Sequence, residues 1–123
     1  MTTAQAQACK RVLVVEDDVD IQEALAQILE NEGYKVTSAD NGLNAMSYLR
    51  TSERPCLILL DLMMPIMDGW QFRAEQRKDP KLAGIPIVVL SAHGSVPQHA
   101  AALEAAMYLK KPIDLDLLLD TVK

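Results

Sequence analysis

Asp61 closes the apolar run Cys56-Leu57-Ile58-Leu59-Leu60 and is followed at once by Leu62-Met63-Met64-Pro65-Ile66-Met67-Asp68-Gly69. An apolar run after Pro55 reads as a central strand of a parallel sheet, buried on both faces, and such strands carry functional groups at their carboxyl ends. Asp61 is therefore expected to be exposed where a ligand binds. A second run, Val12 to Val15, ends in Glu16-Asp17-Asp18 and delivers further carboxylates to what reads as the same edge. A third, Ile85 to Leu90, ends in Ser91, and a short fourth, Met107-Tyr108-Leu109, ends in Lys110-Lys111-Pro112.

Together these strand ends supply acids, a hydroxyl and a lysine. Carboxylates a few ångströms apart repel by kcal-scale energies at an effective dielectric of about 20, so the cluster makes most sense around a cation. All the candidate ligands are oxygens. A small acidic set that leaves room for waters and a phosphate suits Mg²⁺ better than a full Ca²⁺ cage. Plainer readings exist for each residue. Asp61 could cap a turn, Glu16 to Asp18 could form a solvated acidic turn with Asp18 capping a helix, Ser91 could be a loop hydroxyl and Tyr108 a half-buried aromatic. The Met63 to Met67 segment reads mostly as core filler. Trp70 and Phe72 read as packing or partner-contact residues, and neither His93 nor His99 is given a site role.

The elements that must position these groups alternate along the chain. Residues 1–10 are small and polar and read as a flexible lead-in, with one domain expected over 11–123. Arg11 to Val15 is the first strand, and Ile21, Leu25, Ile28 and Leu29 recur at helical spacing before a stop at Asn31 to Gly33. Tyr34 to Ser38 is a second strand, and Asn41-Gly42 opens a helix carrying Leu43, Met46 and Leu49. Asp68 is placed to cap a helix over Gly69 to Lys78. A strand at Ile85 to Leu90, an alanine-rich helix from Val96 to Ala106, the Tyr108 strand and a helix from Asp114 complete the pattern. Repeated β-α units with short connections predict an α/β fold, a doubly wound parallel sheet with helices on both faces.

The chain has 123 residues, 50% of them hydrophobic and 24% charged, which suits a single domain able to bury a core. A formal charge of −5 argues against a broad nucleic-acid-binding surface, so direct DNA contact is not expected. Cys9 and Cys56 lie far apart, show no metal-ligand spacing and are not read as a disulfide pair; Cys56 is read as a small core hydrophobe. The first ten residues have no apolar h-region, and no segment approaches a membrane span, so a soluble, cytoplasmic protein with no membrane partner is expected.

The acidic cluster after the first strand, the segment 61–69, Ser91-Ala92 and Lys111-Pro112 occur in an order and spacing that resemble the receiver domains of two-component response regulators. The resemblance covers 11 to about 122. It implies a five-stranded sheet of order 2-1-3-4-5 with five helices. It also implies that Asp61 accepts a phosphoryl group from a histidine kinase or phosphotransfer protein and that the chain is a switch catalysing only its own phosphorylation and dephosphorylation. By the same resemblance Asp17, Asp61 and the Met63 carbonyl bind Mg²⁺, Glu16 holds a metal-bound water, and Lys111 pairs with a phosphoryl oxygen. Ser91 bonds another phosphoryl oxygen, Tyr108 rotates as a readout, and Lys111-Pro112 is cis.

Departures from the family pattern fall on one face. The helix before Tyr108 looks short, Glu104 stands where glycine is usual, and Ile113 replaces an aromatic. Met63 and His93 occupy two variable positions associated with loss of the phosphoryl group, and an apolar Met63 cannot orient an attacking water. Two other readings stay open. One is an inactive pseudo-receiver acting as a protein-binding module. The other is a phosphatase of the haloacid-dehalogenase kind, which would need a second acid where Met63 stands.

Overall fold

The computed structural model describes residues 10–51, 53–91, 96–111 and 113–122. Strands β1 (Arg11–Val15), β2 (Lys35–Ala39), β3 (Leu57–Asp61), β4 (Ile87–Ser91) and β5 (Met107–Lys110) alternate with helices α1 (Val19–Asn31), α2 (Gly42–Thr51), α3 (Gly69–Lys78), α4 (Val96–Leu103) and α5 (Leu115–Val122). The sheet order is β2-β1-β3-β4-β5 and every pairing is parallel, as the sequence reading expects.

Period-2 alternation sorts the strand side chains into two layers. Leu13, Val15, Ile58, Leu60, Ile87 and Val89 pack with Met46 and Leu49 of α2, Phe72 of α3 and Leu103 of α4. Val12, Val14, Leu59, Val88, Leu90 and Leu109 pack with Leu25 and Leu29 of α1 and Leu118 of α5. Because β1, β3 and β4 are apolar on both faces, they are the interior strands, and their carboxyl ends share one edge.

Several boundaries move from their predicted places. β4 begins at Ile87, not Ile85, since the Ile85 N–H closes a turn onto Leu82 O (3.1 Å) and Pro86, which has no N–H, joins the sheet only as the acceptor of Ile58 N (3.0 Å). α4 stops at Leu103 instead of Ala106, because Glu104 takes a left-handed φ of 55° and the Ala106 N–H is already committed to Ile87 O (2.9 Å) in the approach to β5. β2 starts one position later, at Lys35, and α5 starts at Leu115, with Asp114 accepting from Leu117 N (3.1 Å) as its cap.

Cys56, read as an unpaired core thiol, is half-buried and disulfide-bonded. Its N–H donates to Arg11 O (2.9 Å), so it lies beside the start of β1, and sequence separation is no guide to distance across a parallel pair. Cys9 and the rest of the expected flexible tail except Lys10 lie outside the described residues. Among the described residues, no helix is long and apolar enough to cross a membrane.

α3 is held directly over the end of β3. Gly69 N donates to Leu62 O (3.0 Å), and a Cβ at Gly69 would sit 2.7 Å from both Asp61 O and Leu62 Cα. Both obstacles are backbone, so Gly69→Ala is expected to lower the unfolding free energy by about 1–3 kcal/mol, despite the better helix propensity of alanine. A guanidinium unfolding midpoint equal to wild type would contradict this packing.

Candidate functional site

The register of the sheet assembles the site. Val15 pairs with Leu60, Asp61 with Leu90 and Ser91 with Lys110, so Glu16, Asp61, Ser91 and Lys111 all emerge within a residue of one edge. Glu16 extends β1 by one further ladder bond, from its N–H to Ala39 O (3.0 Å), and Lys111 extends β5 in the same way, to Ser91 O (2.9 Å).

The acid cluster forms. One carboxylate oxygen each from Glu16, Asp17 and Asp61 lies within 4.8 Å of the others. Asp61 is not open to solvent as expected: it is 3% exposed and Glu16 is 0% exposed. Asp17 is the exposed member. Lys111 Nζ reaches Glu16 Oε1 at 2.8 Å and Asp61 Oδ1 at 3.6 Å. The closer contact is a charge-assisted pair in which Lys111 is, among the described residues, the one cation facing buried Glu16 Oε1. Glu16 Oε2 accepts from Asp18 N (3.2 Å), and Asp61 Oδ1 accepts from Met63 N (3.3 Å).

These surroundings push the Asp61 carboxyl up to about 7 from 3.8. Burial is the main cause and the Glu16 charge the next, opposed by Lys111 and the Met63 amide. At Lys111 burial works against the charged form, but contact with Glu16 and the charges of Asp61 and Glu16 outweigh it and raise the pKa. One lysine thus faces two buried carboxylates and a third at the rim. Three carboxylates sharing one lysine form an all-oxygen donor set short of positive charge, so the residues present fit a small hard cation such as Mg²⁺.

The loop after Asp61 is strained and pinned. Met67 N donates to Pro65 O (2.7 Å) around Ile66 at φ 69°, a γ-turn that a β-branched residue rarely adopts and that costs about 1–3 kcal/mol. The N–H of Gly42, at the start of α2, donates to Met67 O (2.9 Å), and a Cβ there would meet Met67 Cγ at 2.7 Å. The loop is only partly the core filler expected. Met64 and Met67 pack on the core, whereas Met63 and Ile66 are 58% and 74% exposed. Phe72 is core, and Trp70 lies at the surface.

Of the remaining candidates, Ser91 is buried at the end of β4 and Tyr108 is half-exposed on edge strand β5. Asp18 caps α1, accepting from Asp20 N and Ile21 N, and Asp68 forms a capping box with Gln71. His93 and Pro112, with the expected cis bond, lie outside the described residues. Gln22 escaped the sequence reading. Its amide donates to Glu16 O (3.0 Å) and to Asp40 Oδ1 (2.9 Å), tying α1 to the acidic corner, and nothing marks it in a helix of mixed polarity.

A family model described as the response regulator receiver domain matches residues 12–123. Among curated proteins, Response regulator MprA of Mycobacterium avium is 39% identical over 111 residues, 89% of this chain and 47% of its own length. Transcriptional regulatory protein GlrR of Escherichia coli K12 is 37% identical over 114 residues, 90% of this chain and 25% of its own. The chain therefore spans about a quarter to a half of these relatives. Among solved structures, response regulator protein TrrA of Thermotoga maritima, in complex with Mg²⁺ and BeF, superposes with a TM-score of 0.80 at 32% identity, covering 92% of this chain and 96% of that one.

The raised Asp61 pKa has a signed consequence for stability. Between 3.8 and about 7 the folded protein holds a proton that the unfolded chain releases, so wild type loses stability as pH rises through that window. Asparagine never ionises. In metal-free buffer Asp61→Asn is expected to be more stable than wild type by about 1–3 kcal/mol at pH 8, with the gap narrowed to less than half at pH 5. Urea unfolding at both pH values checks this, and a gap that is absent, or larger at pH 5, would contradict it.

Proposed function

This chain belongs to the response regulator receiver domains of two-component systems, and on that premise we propose that Asp61 is its phosphoacceptor. The observation that carries the reading is the convergence on Asp61 of Lys111 Nζ at 3.6 Å and of two further carboxylates within 4.8 Å, on the end of a central strand. A carboxylate oxygen of Asp61 attacks phosphorus, the bond from phosphorus to the donor histidine nitrogen breaks, and an acyl phosphate forms. Such a transfer asks mainly for alignment and charge neutralisation.

Asp17, Asp61 and the Met63 carbonyl would hold Mg²⁺, with Glu16 steadying a metal-bound water, and the ion would supply charge neutralisation for the phosphoryl oxygens. Lys111, already paired with both buried acids, is placed to follow the new charge from the Asp61 carboxylate to a phosphoryl oxygen. Ser91, one strand away at the same edge, is the hydroxyl that would bond another phosphoryl oxygen, and half-exposed Tyr108 is the readout side chain. The donor is a histidine kinase or phosphotransfer protein. Val19 at the start of α1, with Met63 and Ile66 in the β3–α3 loop, gives that edge exposed apolar groups for it to contact. We place the chain in the cytoplasm. The charge of −5 supports an output through protein contacts of this domain and not through nucleic acid.

Incubation with acetyl phosphate and Mg²⁺ is expected to add one phosphoryl mass to the intact protein, and the addition should disappear in Asp61→Asn and in chelator. Unmodified wild type in the presence of Mg²⁺ would sink the acceptor reading in favour of an inactive binding module. The phosphorylated form is expected to persist for minutes or longer, because exposed, apolar Met63 cannot orient water. Met63→Gln should shorten that lifetime severalfold, and a wild-type lifetime of seconds would contradict the assignment.

A further inference from the structure

α4 is held at its far end by a side chain from another helix. The last carbonyls of any helix lack intrahelical partners. Here Leu103 O accepts from Arg73 Nε (2.9 Å) and Glu104 O from Arg73 Nη2 (3.3 Å), both reaching across from α3. Arg73 Nη1 in turn donates to Gln76 Oε1 (2.7 Å), and Gln76 Nε2 donates to Leu82 O (2.8 Å) and Ile85 O (3.1 Å), in the segment that leads into β4. Arg73 and Gln76 are both buried, at 7% and 0% exposure, so all of these bonds but the part-buried one to Glu104 O are shielded from solvent.

The clamp falls where the backbone needs support. Glu104 sits at φ 55°, a left-handed conformation that glycine usually supplies after a helix. Arg73 holds its carbonyl from inside while Arg77 pairs with its carboxylate at the surface. A cation at a helix C-terminus is also favoured by the helix dipole. Leu103 is buried in the same core cluster as Phe72, Leu82 and Ile85, and Ala106 N donates to Ile87 O, so the corner is fixed on several sides. The opposite end of α4 follows Ser91, at the acidic edge.

We propose that Arg73 is a positioning residue of the switch: it anchors the α4–β5 corner to α3, so that a phosphoryl group on Asp61 shifts the site-side end of α4 about a fixed Leu103–Ala106 end. The trigger rests on the phosphoacceptor reading; the anchor does not. Moving the corner would break the two carbonyl bonds to Arg73 and disturb the two behind Gln76, whereas tilting the other end leaves all four intact. Lysine cannot replace the clamp, since one ammonium does not span two carbonyls and an amide in a fixed fork.

Amide exchange on the full chain, with and without Mg²⁺ and beryllofluoride, tests this. In wild type, activation is expected to change exchange at and after Ser91 while leaving the Glu104 and Ala106 amides within about twofold of their resting rates. In Arg73→Met those two amides should exchange roughly tenfold faster even at rest, and the response to beryllofluoride should spread through the corner; Arg73→Lys should behave like Arg73→Met. Wild-type corner amides that respond to activation as strongly as those near Ser91 would overturn the pivot, whether or not the variants fold. Resting rates unchanged in Arg73→Met would overturn the anchor. No response to beryllofluoride anywhere near Asp61 would instead overturn the phosphoacceptor reading and the trigger with it, and the resting rates would still decide the anchor.

Discussion

Two carboxylates, Glu16 and Asp61, are buried against each other with one lysine between them, and the rest of the architecture follows from keeping that arrangement in place. Buried charges of like sign are tolerated only when a counter-charge and hydrogen bonds offset their desolvation. Lys111 reaches both, yet burial and the Glu16 charge still push the Asp61 carboxyl up to about 7. The site is thus short of positive charge. A divalent cation would relieve that shortage and a phosphoryl group on Asp61 would deepen it, and two buried acids sharing one lysine at a strand end are arranged for chemistry more than for holding the fold together.

Holding unfavourable groups together requires a stiff support. Parallel ladders on both sides of β3 fix Asp61 relative to Glu16 and Lys111 to within one residue of register. Gly69 lets α3 close directly on the Asp61 and Leu62 backbone, and Gly42 lets α2 pin the strained turn at Ile66. At the far corner, a second left-handed residue, Glu104, is held by Arg73 and Arg77. Local strain is therefore carried at two corners of the fold, the Ile66 turn and Glu104, and in each case a neighbouring helix supplies the restraint.

Much of this could be read from the sequence, for identifiable reasons. Strand-end acids after apolar runs, Ser91 and Lys111 stand out because a buried parallel strand leaves polar residues only at its ends, and the cap at Asp68 follows from side-chain chemistry alone. Burial of Asp61 could not be read, since it depends on how closely neighbouring strand ends bring Glu16 and Lys111 around it. The early end of α4 was hidden because an alanine-rich run has helical propensity up to Ala106, while the sheet claims the Ala106 N–H first. Arg73 and Gln76 look like surface residues of a polar helix, and only the position of the α4 end makes them interior.

The charge shortage at Asp61 is directly measurable by carboxyl carbon NMR of the labelled aspartate, titrated with and without Mg²⁺. A midpoint near 7 in metal-free protein, falling well into the acid range when Mg²⁺ is present, is the expected result. A midpoint close to that of a free aspartate in both conditions would mean that Glu16 and burial do not act on Asp61 and that the site is not short of positive charge.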